Sequence, residues 1–175
     1  MRSVLAFAVL VSSLLAHAQQ HPPAKPADEL KNFKPLMGEW TVSGAFNHEN
    51  QKVNFTGSGK GSMTLGGKFV RLEFDLKGTP MGDVSFEAML NYDAEKKTYR
   101  GVFFISEEPM PLAAVGSFDG KKFVFKGTPP DSESTIQIVF DVSKLDQFSL
   151  TVTEDHGAGF ENNDLMSATF TKKKS

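Results

Sequence analysis

Apolar and polar residues change places with a period of two from Glu39 almost to the end of the chain. "FVRLEFDL" sets Val70, Leu72, Phe74 and Leu76 against Arg71, Glu73 and Asp75. "DVSFEAMLNY" puts Val84, Phe86, Ala88, Leu90 and Tyr92 on one side. "TIQIVFDV" does the same with Ile136, Ile138, Phe140 and Val142, and "QFSLTVTED" with Phe148, Leu150 and Val152. Successive side chains of an extended strand point to opposite faces, so this alternation predicts strands with one buried face each. Turn-forming runs separate them, among them Gly66-Gly67, "KGTPMG", "YDAEKK", "EEPMP", "GTPPDSES", "SKLD" and "HGAGFENND". Asp119-Gly120, between "AVGSF" and "KKFVF", predicts a tight hairpin.

The pattern predicts ten strands, near 39–47, 51–64, 68–77, 83–92, 98–106, 112–118, 122–127, 134–142, 147–154 and 164–172, and every one contains a Phe. Connections are short and no long helix intervenes, so neighbours in sequence pair antiparallel. An open sheet of this size would leave two bare edges and an apolar face in water, and closure removes both. The expected fold is all-β: one antiparallel meander barrel of about ten strands, with a two-sheet sandwich as the alternative.

Ahead of the strands, "DELKNFKPLMGEW" predicts a short helix from Asp28, as N-cap, to about Lys34, with Leu30 and Phe33 on one side. Pro35 and Gly38 are expected to end it. A barrel has two ends that would wet its core. This helix, with Trp40 at the start of the first strand, is placed to close one of them, and Gly38 gives the backbone freedom to turn.

The first twenty residues read differently. Arg2, an apolar run over Val4 to Leu15 and then Ala16-His17-Ala18 form a secretory signal, too short for a comfortable span and cut after Ala18. The expected organisation is a signal peptide at 1–18, a disordered Pro-rich tether at 19–27, the barrel domain at 28–172 and a basic tail at 173–175. The mature chain would hold 157 residues (175 minus 18) and be secreted or periplasmic. That length suits a single core burying about 70% of the unfolded surface. The absence of Cys leaves packing to supply stability and excludes thiolate metal sites. Removing Arg2 leaves 18 Lys+Arg against 21 Asp+Glu, a net charge of −3 that argues against a nucleic-acid partner. No later segment is long and apolar enough for a membrane span.

Gly38-x-Trp40 after a short helix, followed by a meander, resembles the opening motif of the lipocalins and other calycins. More of the chain resembles a bacterial group, family fifteen-seventy-nine of the domains of unknown function. The pieces that carry this likeness are "LKNFKPLMGEW", "GGKFV", "GTPMG" and "LNYDAEKKTYRGVFF", with Tyr92-Asp93 and Tyr99 in the last. The resemblance covers about residues 28–172 and implies a calycin-like barrel, but no settled activity. Lipocalins place a basic side chain, usually Arg, from the last strand against the Trp. This chain departs from that, offering only Lys172 to Lys174 there.

Phe-lined strands make an apolar ligand cavity one expectation and a barrel filled by the same side chains the other. Candidate wall residues are Val70, Leu72, Phe74, Phe86, Leu90, Tyr92, Phe140 and Leu150. Arg100 is a candidate for forking two hydrogen bonds to a ligand carboxylate, whereas Arg71 falls out of phase with its strand's apolar face and is expected to meet a cross-strand acid. "GTPMG" and "EEPMP" each place a Met beside Pro and are either two sides of one flexible portal or ordinary turns.

Catalytic and cofactor signals are weak. "GSGKGS" lacks the Ser or Thr after Lys60 and the helix that a phosphate loop needs, and reads as a twisted or bulged strand. Glu154, Asp155, His156 and Asp164 read as a solvated loop more readily than as a cation site, and neither a haem nor any other cofactor is expected. Carboxylates such as Glu73 or Glu87 would support an enzyme only by pointing into a pocket. The favoured reading is an exported, non-enzymatic barrel that binds a small apolar or amphipathic molecule. The alternative is a filled barrel that contacts a protein or envelope partner through its rim loops.

Overall fold

In the computed structural model, residues 25–48, 51–156 and 163–174 are described. The signal segment and most of the tether lie outside them, as does the middle of the "HGAGFENND" turn. A 3₁₀ helix runs over Asp28–Leu36. Ten strands follow: β1 Gly38–His48, β2 Gln51–Thr64, β3 Phe69–Thr79, β4 Gly82–Asp93, β5 Thr98–Ile105, β6 Leu112–Phe118, β7 Lys122–Gly127, β8 Thr135–Asp141, β9 Gln147–Asp155 and β10 Asn163–Lys172. Every expected strand is present, with ends within two residues of those read from the alternation.

Each strand pairs antiparallel with its successor, and β1 pairs with β10, so the sheet closes on itself and the sandwich alternative is excluded. The closing register sets Trp40 opposite Lys172 and Phe46 opposite Met166. Asp119 and Gly120 form the expected hairpin: the Asp119 carboxylate accepts from the Lys121 and Lys122 N–H groups at 2.8 and 2.7 Å, and Gly120 has φ +96°.

The N-terminal segment departs from expectation in two ways. Ala27, not Asp28, is the N-cap, and Pro35 lies inside the helix. The helix is of the tight kind with three residues per turn, which lines up positions three apart. Leu30, Phe33 and Leu36 therefore share one line, and all three are buried. Met37 leaves the helix extended, and Gly38, at φ +116°, turns the chain into β1 in a conformation that side-chain-bearing residues rarely adopt.

This helix seals one end of the barrel. Phe33 stacks on Phe123 at 4.5 Å and meets Tyr99 edge-on at 5.3 Å. Asn32 donates from its amide to the Tyr99 hydroxyl at 2.7 Å. Trp40 is buried, packs edge-on against Phe148 at 4.9 Å, and donates from its indole N–H to the Leu36 carbonyl at 3.2 Å. Lys172 takes the place that a lipocalin gives to Arg: its ammonium lies 5.9 Å from the centre of the Trp40 ring. "GSGKGS" is strand, with no phosphate loop, and its glycines make room. A Cβ on Gly61 would strike the Leu36 carbonyl oxygen, and one on Gly59 would come within 2.6 Å of the Phe74 ring.

Candidate functional site

Beyond the sealed end, aromatic rings meet across the tube. Phe125, Phe103, Phe86, Phe74, Phe170, Phe148 and Phe140 form a closed circuit of ring contacts, with neighbouring centroids 4.2–6.3 Å apart. Four of them, Phe74, Phe86, Phe103 and Phe170, are the floor of a cavity of about 440 Å³. That size lies in the range of about 300–1,000 Å³ usual for small-molecule sites. The walls are aliphatic: Leu76 and Val84 on β3 and β4, Ile105 and Leu112 across the β5–β6 loop, Ile136 and Val152 on β8 and β9. Apart from Phe46, which leans on Phe55, the inward positions nearest the mouth are thus branched and short, and do not reach across the tube as the rings below them do.

The portal expectation and the structure agree in geometry. Met81, from "GTPMG", and Met110, from "EEPMP", both line this cavity and are 49% and 56% exposed. The two loops border one mouth because β3 to β6 are consecutive antiparallel neighbours, which brings their odd-to-even connections to the same end. Among the polar lining residues, Asn47 donates to the Asp164 carbonyl at 2.7 Å, and Glu108 belongs to the mouth.

The candidate wall residues divide. Phe74, Phe86 and Leu150 line the cavity. Val70, Leu72, Leu90 and Phe140 face inward but are buried in the filled half, outside the cavity lining. Tyr92 stands edge-on to Tyr99 at 5.0 Å near the sealed end. Arg100 does not reach the cavity: it is exposed and pairs with Asp93 at 2.9 Å on the outer face. "YRGVFFI" hides this, because its outward positions also carry Val102 and the exposed Phe104. Arg71 does as its phase predicts, forking two 2.9 Å hydrogen bonds to Glu87 across the strands and touching Glu73 at 3.1 Å. Both carboxylates considered for acid–base work are therefore engaged on the outside of the barrel, away from the cavity.

Two electrostatic features flank the core. Burial pushes the Tyr99 hydroxyl above the usual tyrosine range, against the opposing effect of Asn32. The Lys96 N–H and the Arg100 guanidinium hold Asp93 below the usual carboxylate range. At the mouth, His156 and Glu154, read from the sequence as part of a solvated loop, join Ser134 and Asn163, which the sequence did not point to. The His156 Nδ1 lies 2.9 Å from the Ser134 hydroxyl, and its Nε2 lies 3.4 Å from Glu154 and 3.2 Å from the Asn163 amide. This cluster ties the start of β8 to the facing ends of β9 and β10. Glu154, His156 and Asn163 are near one another in sequence, and it is the β8–β9–β10 pairing that brings Ser134 to them. Among the described residues, no group of three or more His, Asp or Glu could hold a metal ion, and no helix is long and apolar enough to cross a membrane.

A closed ten-stranded antiparallel barrel, sealed by a helix at one end and hollow at the other, defines a calycin-like, lipocalin-like class. The chain belongs to the family described as Protein of unknown function (DUF1579), whose profile matches residues 25–172. Solved structures share the fold, and two of them serve as examples. Rv2717c from M. tuberculosis superposes with a TM-score of 0.63 at 14% identity, over 86% of this chain and 100% of that one. The S-type phycobiliprotein lyase CPES from Guillardia theta superposes with a TM-score of 0.57 at 11% identity, over 83% of this chain and 92% of that one. At such identities the likeness is one of fold. No curated protein matches the chain by sequence.

Proposed function

We propose that this protein is an exported, non-enzymatic carrier or sensor of a small apolar or amphipathic molecule, held in the half-barrel cavity. The observation that carries this reading is the apolar hollow of about 440 Å³, floored by Phe rings and bordered by two Met-bearing loops. Burying a ligand's apolar surface there removes both ligand and wall from water, at about 25 cal/mol per Å². The fold shared with a phycobiliprotein lyase is in keeping with this use of such a barrel. The rival filled-barrel reading has no footing in the mouth half, where the interior is hollow. Export rests on the first eighteen residues, with their apolar run and the Ala16-His17-Ala18 site.

Solvent extraction of protein purified from its own host, followed by mass spectrometry, should release a small apolar compound. The emptied protein should enhance the fluorescence of a neutral hydrophobic dye. No extractable compound together with no dye binding would sink the ligand reading. N-terminal sequencing of the exported fraction should begin at Gln19.

A further inference from the structure

Charge is unevenly shared along the barrel axis, and the cavity opens at the acidic end. We propose that the cavity admits amphiphiles with a cationic headgroup and turns away those headed by a carboxylate; this rests on the ligand-binding reading above. Asp83 begins β4 at the mouth, Glu107 and Glu108 lie in the β5–β6 loop, and Asp131 and Glu133 lie in the β7–β8 loop. Glu154 and Asp155 end β9, and Asp164 stands near the start of β10. Among the described residues, the Lys and Arg on these loops and adjoining strand ends are Lys52, Lys77 and Lys126. At the sealed end Lys25, Lys31, Lys34, Lys68, Lys96, Lys97, Lys121, Lys122, Lys144 and, at and beyond the end of β10, Lys172 to Lys174 outnumber Asp28, Glu29, Glu39, Asp93, Glu95, Asp119, Asp141 and Asp146, so the balance there is basic.

The cavity makes this sign matter. Among the described residues its lining contains no Lys, Arg or His, and Glu108 is the one ionisable side chain there. A carboxylate drawn in would lose water and face another carboxylate, whereas an ammonium would meet an opposite charge. The amide N–H of Asn47 already serves the Asp164 carbonyl at 2.7 Å. Both guanidinium groups suited to clamping a carboxylate are on the outer wall, in ion pairs with Asp93, Glu73 and Glu87. Low-dielectric walls focus the field of a rim of one sign. The ligand therefore enters tail first, its chain against the rings of Phe74, Phe86, Phe103 and Phe170, its head beside Glu108.

The test uses the mature full-length chain loaded with Nile red, an uncharged dye, and displaced at low salt by twelve-carbon amphiphiles below their micelle concentrations. Dodecyltrimethylammonium should displace the dye at concentrations at least about five-fold lower than dodecanoate, the scale of one unit-charge contact near water. The gap should narrow in high salt, as rim charges are screened. Glu108→Lys should close or invert the ratio, and Glu108→Gln should fall between that variant and the parent. Equal displacement, or dodecanoate as the better competitor, overturns the charge preference while leaving the ligand reading intact. A ratio indifferent to both Glu108 substitutions overturns it as well. Failure of the dye and both amphiphiles to bind removes the ligand reading and this inference together.

Discussion

The sealed half and the mouth half of the barrel share the same ten strands and the same inward alternation, yet one is solid and the other hollow. In the sealed half the inward positions carry rings packed among Val70, Leu72 and Leu90. Tyr99 and Phe123 hold Phe33 of the helix, Phe118 stacks on Phe123, and Trp40 closes on Phe148. In the mouth half, above the Phe floor, the inward positions are mostly Leu, Ile and Val, and the ring of Phe46 there leans on Phe55 at 5.1 Å. A period of two makes a lined tube. Side-chain reach, and a plug from outside the sheet, decide whether the tube is full.

Truncation at the plug should have the largest effect. Phe33→Ala should cost about 3–5 kcal/mol, because a large ring leaves a packed interior. Ile136→Ala, in the cavity wall, should cost about 1–2 kcal/mol, since its side chain is only partly buried. Chemical denaturation of both variants measures the contrast, and equal losses would erase the distinction between the halves. Gly61→Val should follow at about 1–3 kcal/mol, as the new side chain collides with the Leu36 carbonyl and lifts the helix. Loss of near-ultraviolet circular dichroism from Trp40 would report that lift.

Filling the hollow sharpens the comparison from the other side. Val152→Trp should weaken binding of a neutral hydrophobic dye about ten-fold or more, the fold-change that corresponds to 1.4 kcal/mol, while leaving the denaturation midpoint close to that of the parent. Unchanged dye affinity would place the dye elsewhere. Tyr99→Phe should cost about 0.5–1.5 kcal/mol at neutral pH for the lost Asn32 hydrogen bond. Its second signature is alkaline. The folded Tyr99 has a raised pKa, so its stabilising contribution is complete below the unfolded value of about 10 and is lost as pH climbs through the folded value. The parent should therefore lose stability in that window more steeply than the Phe variant. Smallest of all, Lys172→Gln should cost about 0.5–1 kcal/mol, the worth of one exposed cation over an indole ring.

The strands were legible because alternation is local: "FVRLEFDL" states its own buried face without reference to any other segment. The plug was legible for the same reason, through Leu30, Phe33 and Trp40. Its helix type was not, because the choice between 3.0 and 3.6 residues per turn is made by what Leu36 and Phe33 meet on β2 and β7. The hollow lay beyond reach, since it depends on whether inward side chains from opposite walls touch. That is why Leu72, Leu90 and Phe140 looked equivalent to Phe74, Phe86 and Leu150, although only the last three line the cavity. Arg100 was ambiguous because its strand is apolar on both faces, and the His156 cluster because its members come from three strand ends.

The helix that begins at Asp28 and the last residues after Lys172 both emerge at the plugged base, as the pairing of Trp40 with Lys172 requires. A neighbouring surface joined at Lys174 would therefore meet the plugged base and not the mouth. The cavity mouth would then point away from that surface.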